Sequence, residues 1–247
     1  MDSAQALGLA RSLAIYYGRP WRQRALGRFY RGLLAPGDLA FDIGAHVGNR
    51  SRALLAAGAR VVALEPNPLL FRFLKRSLRG NGVTLLQSAV GAAMGSLELA
   101  VSSRHPTVSS LAPGWIAAVG SSDGFRHVRW DRRIMVEVTT LDRLVATYGR
   151  PQFVKIDVEG MEAAILAGLS QPLPLIAFEY LVPAIDLAIA CIARLEGLGS
   201  YRFNHVDGEG QQFARGDWVD GRAMRLALRS LPASARHGDL YARLEAS

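Results

Sequence analysis

The sequence predicts an α/β fold in which a parallel sheet is flanked by helices. Leu39 to Ile43 is a short apolar run that ends at a glycine turn, after which helical spacing begins at Asn49. Val61 to Leu64 is a second apolar run, and Phe153 to Val158 is a third that again leads through a glycine into a helical pattern. Short apolar strands that alternate with helices are typical of βαβ units, whose strands are parallel.

Residues 1–35 are predicted to be a helical extension before a single domain at residues 36–247. Apolar residues at helical spacing indicate one or two amphipathic helices, which break near Gly18. Helices that pack on the edge of the domain are the preferred interpretation, and a peripheral contact with an anionic membrane or a partner is the alternative. The extension has one acid, Asp2, and is rich in arginine: Arg11, Arg19, Arg22, Arg24, Arg28 and Arg31.

The composition limits the classes of protein. A chain of 247 residues, half of them apolar, is large enough for one globular core. The single cysteine, Cys191, excludes an intramolecular disulfide and a cysteine-based zinc cluster. No signal peptide or membrane-spanning run is recognised, which predicts a cytoplasmic protein. The net charge of +8 would attract an anionic partner, but without an aromatic-interleaved basic patch nucleic acid is a minority interpretation.

The middle of the chain continues the alternation. A helix is predicted to open at Pro66 or Asn67, and further strands are predicted at 84–87, 96–102 and 135–138, with a helix from about 140 to 148. Residues 103–133 are predicted to be a long irregular loop. Loops of this length inside a domain are often substrate loops, so this one is the candidate for acceptor recognition, with a mobile surface insertion as the alternative. It carries His105, Trp115, His127 and Trp130.

The last third of the chain is predicted to complete the sheet. A strand over 175–178 ends at Glu179 and Tyr180, and a helix follows over 183–198. Residues 201–206 and 213–219 are expected to form a closing antiparallel pair, while 239–244 fits either a short strand or a helix.

The first glycine turn predicts the ligand. Gly44 and Gly48 bracket a strand-to-helix turn, where a ligand can approach the backbone and the free N–H groups of the new helix. Glu65 stands 21 residues after Gly44, near the spacing at which a second-strand carboxylate contacts ribose hydroxyls. The turn lacks the glycine triplet of a dinucleotide site, and Asp42 suits a cation better than a pyrophosphate. S-adenosylmethionine is therefore predicted, and a nicotinamide dehydrogenase is the weakest alternative.

The motifs together resemble those of FkbM-type S-adenosylmethionine-dependent methyltransferases. They are Phe41–Gly48, Ala63–Asn67, Ser88–Gly91, Val138–Asp142 and Val154–Glu162, in this order over about residues 38–180. The resemblance implies a class I methyltransferase Rossmann-like fold, with a mostly parallel seven-stranded sheet and helices on both faces. It also implies S-adenosyl-L-methionine as cofactor and O-methylation of a hydroxyl, often on a sugar of a polysaccharide, glycolipid or natural product. The family commonly has Asn where this chain has His46.

The cofactor-binding residues are predicted from the turn, the second strand and the segment that edges the adenine in the family. For Ser88, a loop hydroxyl bonded to its own backbone is an equal alternative. The predicted set is Asp42, Gly44, Ala45, His46, Gly48, Asn49, Ser51, Glu65, Pro66, Asn67, Ser88, Ala89, Val90 and Asp157.

Four carboxylates, Asp42, Glu65, Asp157 and Glu159, come from the ends of predicted strands. Such ends meet at one crevice of an open α/β sheet, and packing alone does not explain buried charges there. Deprotonation of a hydroxyl acceptor needs a base within hydrogen-bond reach. Glu159 is the preferred base, whereas Asp157 either shares that role or holds the methionine end of the cofactor. No metal site is predicted, and the further candidate bases are His46, His105 and His205.

Two other functions remain open. The positive charge suggests a nucleic-acid methyltransferase. A non-catalytic interaction module would keep the cofactor site without turnover. The sequence does not predict the acceptor, whether small molecule or glycan, or the oligomeric state.

Overall fold

The computed structural model describes residues 3–120, 125–232 and 236–245. Its helices are α1 Ser3–Tyr17, α2 Pro20–Arg31, α3 Asn49–Ala56, α4 Pro68–Ser77, α5 Pro113–Gly120, α6 Leu141–Tyr148, α7 Glu162–Ala167, α8 Ile185–Glu196 and α9 Gly221–Arg229. Its strands are β1 Leu39–Ile43, β2 Arg60–Leu64, β3 Val83–Leu86, β4 Ala89–Val90, β5 Gly95–Val101, β6 Arg132–Thr139, β7 Phe153–Ile156, β8 Leu175–Leu181, β9 Tyr201–Asp207 and β10 His237–Leu244.

A mostly parallel sheet of seven strands forms the centre of the fold. Its order is β3-β2-β1-β7-β8-β10-β9, in which only β10 runs antiparallel to its neighbours. The chain moves outward from β1 through β2 to β3, and later returns to the other side of β1 with β7. This reversal of strand order opens a crevice at the carboxyl ends of β1 and β7. The predicted class I methyltransferase architecture is confirmed.

Each face of the sheet carries its own layer of helices, because successive side chains of a strand point to opposite faces. Phe41 and Val62 belong to the core that α6, α7, α8 and α9 cover, while Ala40 and Val61 belong to the core that α2, α3 and α4 cover. None of the helices in the described ranges is both long and apolar enough to cross a membrane. The cytoplasmic location stays a prediction.

The closing strands differ from the predicted pairing. Residues 213–219 are not a strand, and Val219 makes only an isolated bridge with Phe203. The partner of β9 is β10, which lies between β8 and β9 with a seven-residue register on each side. A fully paired central strand satisfies more backbone groups than an edge hairpin would. Phe213 instead packs its ring against Trp218 and Tyr241, at centroid distances of 5.1 and 5.2 Å.

The segment 103–133 is more regular than predicted. It contains a 3₁₀ turn at Pro106–Val108 and the helix α5, although residues 121–124 lie outside the described residues. Trp115 and Val119, four residues apart, form the buried side of α5. The Trp130 indole Nε1 donates to the carbonyl oxygen of Val108 at 2.8 Å. One buried helical turn is too short to be recognised from periodicity, which explains the difference.

Candidate active site

The first glycine turn brings the ends of three strands together. Gly44 has φ +83°, and a Cβ there would lie 1.9 Å from the carbonyl oxygen of Asp157, so only glycine fits. The backbone N–H groups of Gly44 and Ala45 both donate to the carbonyl oxygen of Leu64, at 3.0 and 2.9 Å. Gly48, at φ +81°, is the N-cap residue of α3. The turn thus joins β1 to the ends of β2 and β7.

Two cavities adjoin at this turn. The first, here the apolar cavity, has hydrophobic walls at Leu70, Leu99 and Leu111. The second, here the acidic cavity, is lined by Asp42, Asp157, Glu159, Glu179 and Glu209, with Tyr16 and Arg50. Both cavities are lined by Gly44, His46, Thr107, Asp157 and Glu159. Of the residues predicted from the sequence, the apolar cavity also receives Glu65, Pro66, Ser88, Ala89 and Val90, and the acidic cavity also receives Ala45 and Asn49.

Three predicted cofactor residues do not line either cavity. Gly48 starts a helix, and Ser51 is buried and donates its hydroxyl proton to the carboxylate of Asp42. The side-chain Oδ1 of Asn67 accepts from the N–H of Leu69 at 3.0 Å and caps α4. Their contact with the cofactor remains a prediction, and each has a structural role nearby.

Glu65 is fixed at the rim of the apolar cavity. Its Oε2 accepts from the N–H of His46 and its Oε1 from the N–H of Asn67, both at 2.8 Å. Burial raises the pKa of Glu65 to about 8, although the two N–H donors oppose that shift. Each carboxylate oxygen has a further lone pair, so the group can also accept hydrogen bonds from two ribose hydroxyls.

Asp42 lies in the acidic cavity with one oxygen free. Its Oδ2 accepts from Ser51, whereas its Oδ1 is buried without a partner among the described residues. Burial raises the pKa of Asp42, because a charged carboxylate without a full set of partners is costly there. An orphaned buried acceptor fits the ammonium group of S-adenosylmethionine.

A cluster of four charged side chains lies at the acidic cavity, with Lys155 and Asp239 buried and with Arg50 and Asp157 in the cavity lining. The ammonium group of Lys155, which is fully buried, lies 3.0 Å from Asp239 and 3.5 Å from Asp157. Arg50 lies 3.2 Å from Asp157 and 3.3 Å from Asp239. Burial alone would raise the pKa of Asp157, but Lys155 and Arg50 hold it below its ordinary value. Asp157 is therefore ionised near neutral pH.

The pKa values of Glu159 and Glu179 shift in the opposite direction from that of Asp157. Burial, followed by the charges of Glu179 and Asp157, raises the pKa of Glu159 well above its usual range. Burial and Asp157 raise the pKa of Glu179 to about 7, with His237 Nδ1 3.6 Å from its carboxylate. Glu159 also has φ +57°, a strained value for a residue with a side chain. Strained backbone beside a perturbed carboxyl group is typical of functional sites.

The helix α1 covers the glycine turn. The hydroxyl of Ser12 is 3.3 Å from Nε2 of His46, and the rings of Tyr16 and His46 meet edge to face at 5.5 Å. The hydroxyl of Tyr17 donates to the carbonyl oxygen of Val47 at 2.9 Å. Burial lowers the pKa of His46 to about 4, so its imidazole is neutral and accepts protons poorly near pH 7.

The other candidate histidines lie outside both cavities. His105 contacts Arg11 at 3.1 Å and stacks edge to face on His127, with ring centroids 4.9 Å apart. His205 is buried on β9, with its Nε2 3.5 Å from Asp207. Neither lines the cavities that hold Glu159.

Sequence reasoning missed part of the site. Lys155 interrupts an otherwise apolar strand, and that interruption was the available signal for a buried charge cluster. Asp239 and Glu179 stand in register on β10 and β8, so they lie side by side at the crevice. Arg50 and Tyr16 had no signal, because arginines are mostly exposed and tyrosines are intermediate in burial, so neither residue type marks a site by itself.

Comparison with known proteins identifies the family of the chain. The family described as Methyltransferase FkbM domain matches residues 42–231. The hexuronic acid methyltransferase AglP of Haloferax volcanii is 28% identical over 145 residues, which are 57% of this chain and 54% of that protein, so the chain spans about half the length of this relative.

Solved structures are also similar. The methyltransferase FkbM of Methylobacillus flagellatus has 18% identity and a TM-score of 0.48, over 85% of this chain and 45% of that one. An O-methyltransferase of Bacillus cereus in complex with SAH has 13% identity and a TM-score of 0.47, over 99% and 92%. The chain belongs to the FkbM methyltransferase family, and its cofactor is S-adenosylmethionine, as the glycine turn and Glu65 predicted.

Proposed function

We propose that this methyltransferase methylates a hydroxyl group of a neutral sugar, glycolipid or natural product. The observation that carries the proposal is the acidic cavity, where Glu159 and Glu179 have raised pKa values beside the ionised Asp157. When bound, S-adenosylmethionine supplies a methyl group on a sulfonium. The protein must then hold the acceptor oxygen in line and remove its proton.

The residues of the two cavities divide into cofactor and acceptor groups. Glu65 is proposed to accept from the ribose hydroxyls, and the free Oδ1 of Asp42 to accept from the ammonium group. Ser88 has its hydroxyl engaged with the carbonyl oxygens of Ala89 and Glu137, at 2.9 and 3.1 Å. The segment 88–90 therefore contributes shape and backbone groups to the adenine side.

We propose that the base is the Glu159–Glu179 pair. Each negative charge opposes ionisation of the other, so the two carboxyl groups titrate as a pair. Near neutral pH the pair loses its first proton, and the resulting carboxylate can accept a proton from the acceptor hydroxyl. Such a pKa suits a general base. Asp157 is proposed as a fixed negative charge, because Lys155 and Arg50 keep it ionised.

The charge of the acidic cavity supports a neutral acceptor. Among its described lining residues five are carboxylic acids, and the one arginine, Arg50, is engaged by Asp157 and Asp239. A carboxylate or phosphate on the acceptor itself would meet the ionised Asp157 at short range and would further oppose ionisation of Glu159 and Glu179. The Haloferax relative is a hexuronic acid methyltransferase, which supports a sugar acceptor, and the preference for a neutral sugar rests on the charge of this cavity alone. The same argument opposes a nucleic acid as the acceptor.

The test is methylation of an acceptor panel with isotope-labelled S-adenosylmethionine. The panel contains neutral glycosides, the matching hexuronates and an oligoribonucleotide, with products identified by mass spectrometry. Label is expected on hydroxyls of neutral glycosides. Methylation of the hexuronates or the oligoribonucleotide alone would overturn the proposal.

The base has a separate test with a matched control. Glu159→Gln is expected to lower turnover by about a hundredfold or more, with binding of S-adenosylhomocysteine retained. Glu137→Gln removes an exposed carboxylate on β6 and is expected to leave turnover unchanged. If Glu159→Gln and Glu179→Gln together keep full turnover, the pair is not the base.

A further inference from the structure

An arginine-lined groove lies between α2 and α3, away from both cavities of the candidate site. Arg24, Arg28 and Arg31 of α2 and Arg52 of α3 line it, and no carboxylate is among its described lining residues. We call it the arginine groove. Its residues do not line the apolar or the acidic cavity, so the proposed methyl transfer does not account for it.

The arginines form one face of α2 together with an exposed tryptophan. Trp21, Arg24, Arg28 and Arg31 are spaced by three, four and three residues, which places them on one side of a helix. The side chains of all four are exposed, and Trp21 is 64% accessible. A large aromatic beside a row of guanidinium groups is typical of a helix that lies at a membrane surface.

Most of these charges are uncompensated. In the described part of the chain, no hydrogen bond or ion pair engages the guanidinium group of Arg24 or Arg28. Arg31 contacts only the carbonyl oxygen of Ala56, at 3.3 Å, and Arg52 contacts the hydroxyl of Tyr17. Residues 3–37 contain six arginines and no acid. The surface therefore carries a concentrated positive field that an anionic partner would neutralise.

We propose that the arginine groove and Trp21 dock the protein on an anionic membrane surface. Lipid phosphates would meet the free guanidinium groups, and Trp21 would enter the headgroup region. The same helical extension also exposes Leu7 and Ile15, at 61% and 51% accessibility. Burial of these apolar side chains in a lipid interface is favourable, whereas contact with a solvated polyanion would leave them in water. This difference favours a membrane over RNA.

The test uses co-sedimentation of the whole chain with vesicles. Binding is expected to vesicles that contain phosphatidylglycerol and not to vesicles of phosphatidylcholine alone, and it should weaken as salt rises. The double variant Arg24→Gln/Arg28→Gln should bind about thirtyfold more weakly, since each arginine near an anionic surface contributes about 1 kcal/mol. The matched control, Arg72→Gln/Arg76→Gln, removes two exposed arginines with the same spacing from α4 and should bind as the wild type does.

A second pair of variants tests the apolar contact. Trp21→Ala is expected to weaken binding, whereas Leu226→Ala, which removes a 62% accessible side chain from α9, is not. Retained binding of S-adenosylhomocysteine shows that each variant is folded. Equal losses from the α2 and α4 double variants would overturn the proposal, because binding would then follow net charge alone. Binding of polyuridylate through Arg24 and Arg28, with none to the anionic vesicles, would overturn it in favour of RNA.

Discussion

The protonation of Glu65 predicts how cofactor affinity depends on pH. Burial holds the pKa of this group at about 8 in the free protein, against an ordinary value of 4.5, so below pH 8 it is mostly protonated. Two ribose hydroxyls that donate to it would favour the ionised form and lower its pKa in the complex. Binding therefore releases a proton, and affinity should rise with pH until Glu65 is ionised before binding.

The size of the change in cofactor affinity follows from the pKa shift of Glu65. One proton released for each ligand bound gives at most a tenfold gain in affinity for each pH unit. Between about pH 6 and about pH 8 the gain is thus up to about a hundredfold, or about 2.7 kcal/mol at 1.36 kcal/mol for each unit. Above pH 8 the affinity should level off.

Isothermal titration with S-adenosylhomocysteine measures both parts of this prediction. The dissociation constant is followed from about pH 6 to about pH 9, in two buffers whose ionisation enthalpies differ, so that the released proton is counted. Glu65→Gln is the control, since it should bind more weakly but with a flatter pH profile. If the variant has the same pH profile as the wild type, another group releases the proton and the assignment of Glu65 is wrong.

Further substitutions test the charge cluster, the glycines and the base. Lys155→Met leaves Asp157 and Asp239 short of a buried cation and should lower the free energy of unfolding by about 3–5 kcal/mol in chemical denaturation. Loss of an exposed pair such as Arg202–Glu245 should leave that free energy nearly unchanged. Gly44→Ala places a Cβ 1.9 Å from a carbonyl oxygen at positive φ and should abolish cofactor binding by calorimetry. Gly160→Ala brings a Cβ within 2.5 Å of Trp115 at φ +101°, so kcat should fall more than cofactor affinity. Turnover of the wild type should fall as pH drops below about 7, because the Glu159–Glu179 pair acts as a base only when ionised; a flat profile down to pH 5 would contradict this.

The core of the fold was predictable because its signals are local. The strand that ends at Ile43 and the turn at Gly44 are encoded within ten residues, as is the strand that ends at Ile156. The closing strands were not, because β10 inserts between β8 and β9 although it follows both in the chain. Nothing near residues 213–219 indicates that a later segment will take the place beside β9. Pairing between segments distant in sequence depends on tertiary packing, which periodicity does not report.

The electrostatics of the site were less predictable than its residues. Asp157 and Glu159 are two positions apart and were grouped together in the sequence, yet their pKa values shift in opposite directions. The difference comes from Lys155 and Arg50 on one side and from Glu179 on the other, which strand register and helix packing bring close. The role of a carboxylate follows from which charges surround it, and those charges are contributed by distant segments.

The predicted division of the chain at residue 35 remains a prediction, but contacts cross it at the site itself. Tyr16 lines the acidic cavity, Ser12 contacts His46, and a Cβ on Gly8 would lie 2.2 Å from the carbonyl oxygen of Ser103. The family match begins at residue 42, so the three α1 residues that make these contacts all lie before it. The motifs predicted to hold the cofactor therefore lie almost entirely inside the shared domain, whereas part of the wall of the acidic cavity comes from a helix before it. We expect acceptor choice to depend on α1 as well as on the motifs, because Tyr16 lines the acidic cavity together with Glu159.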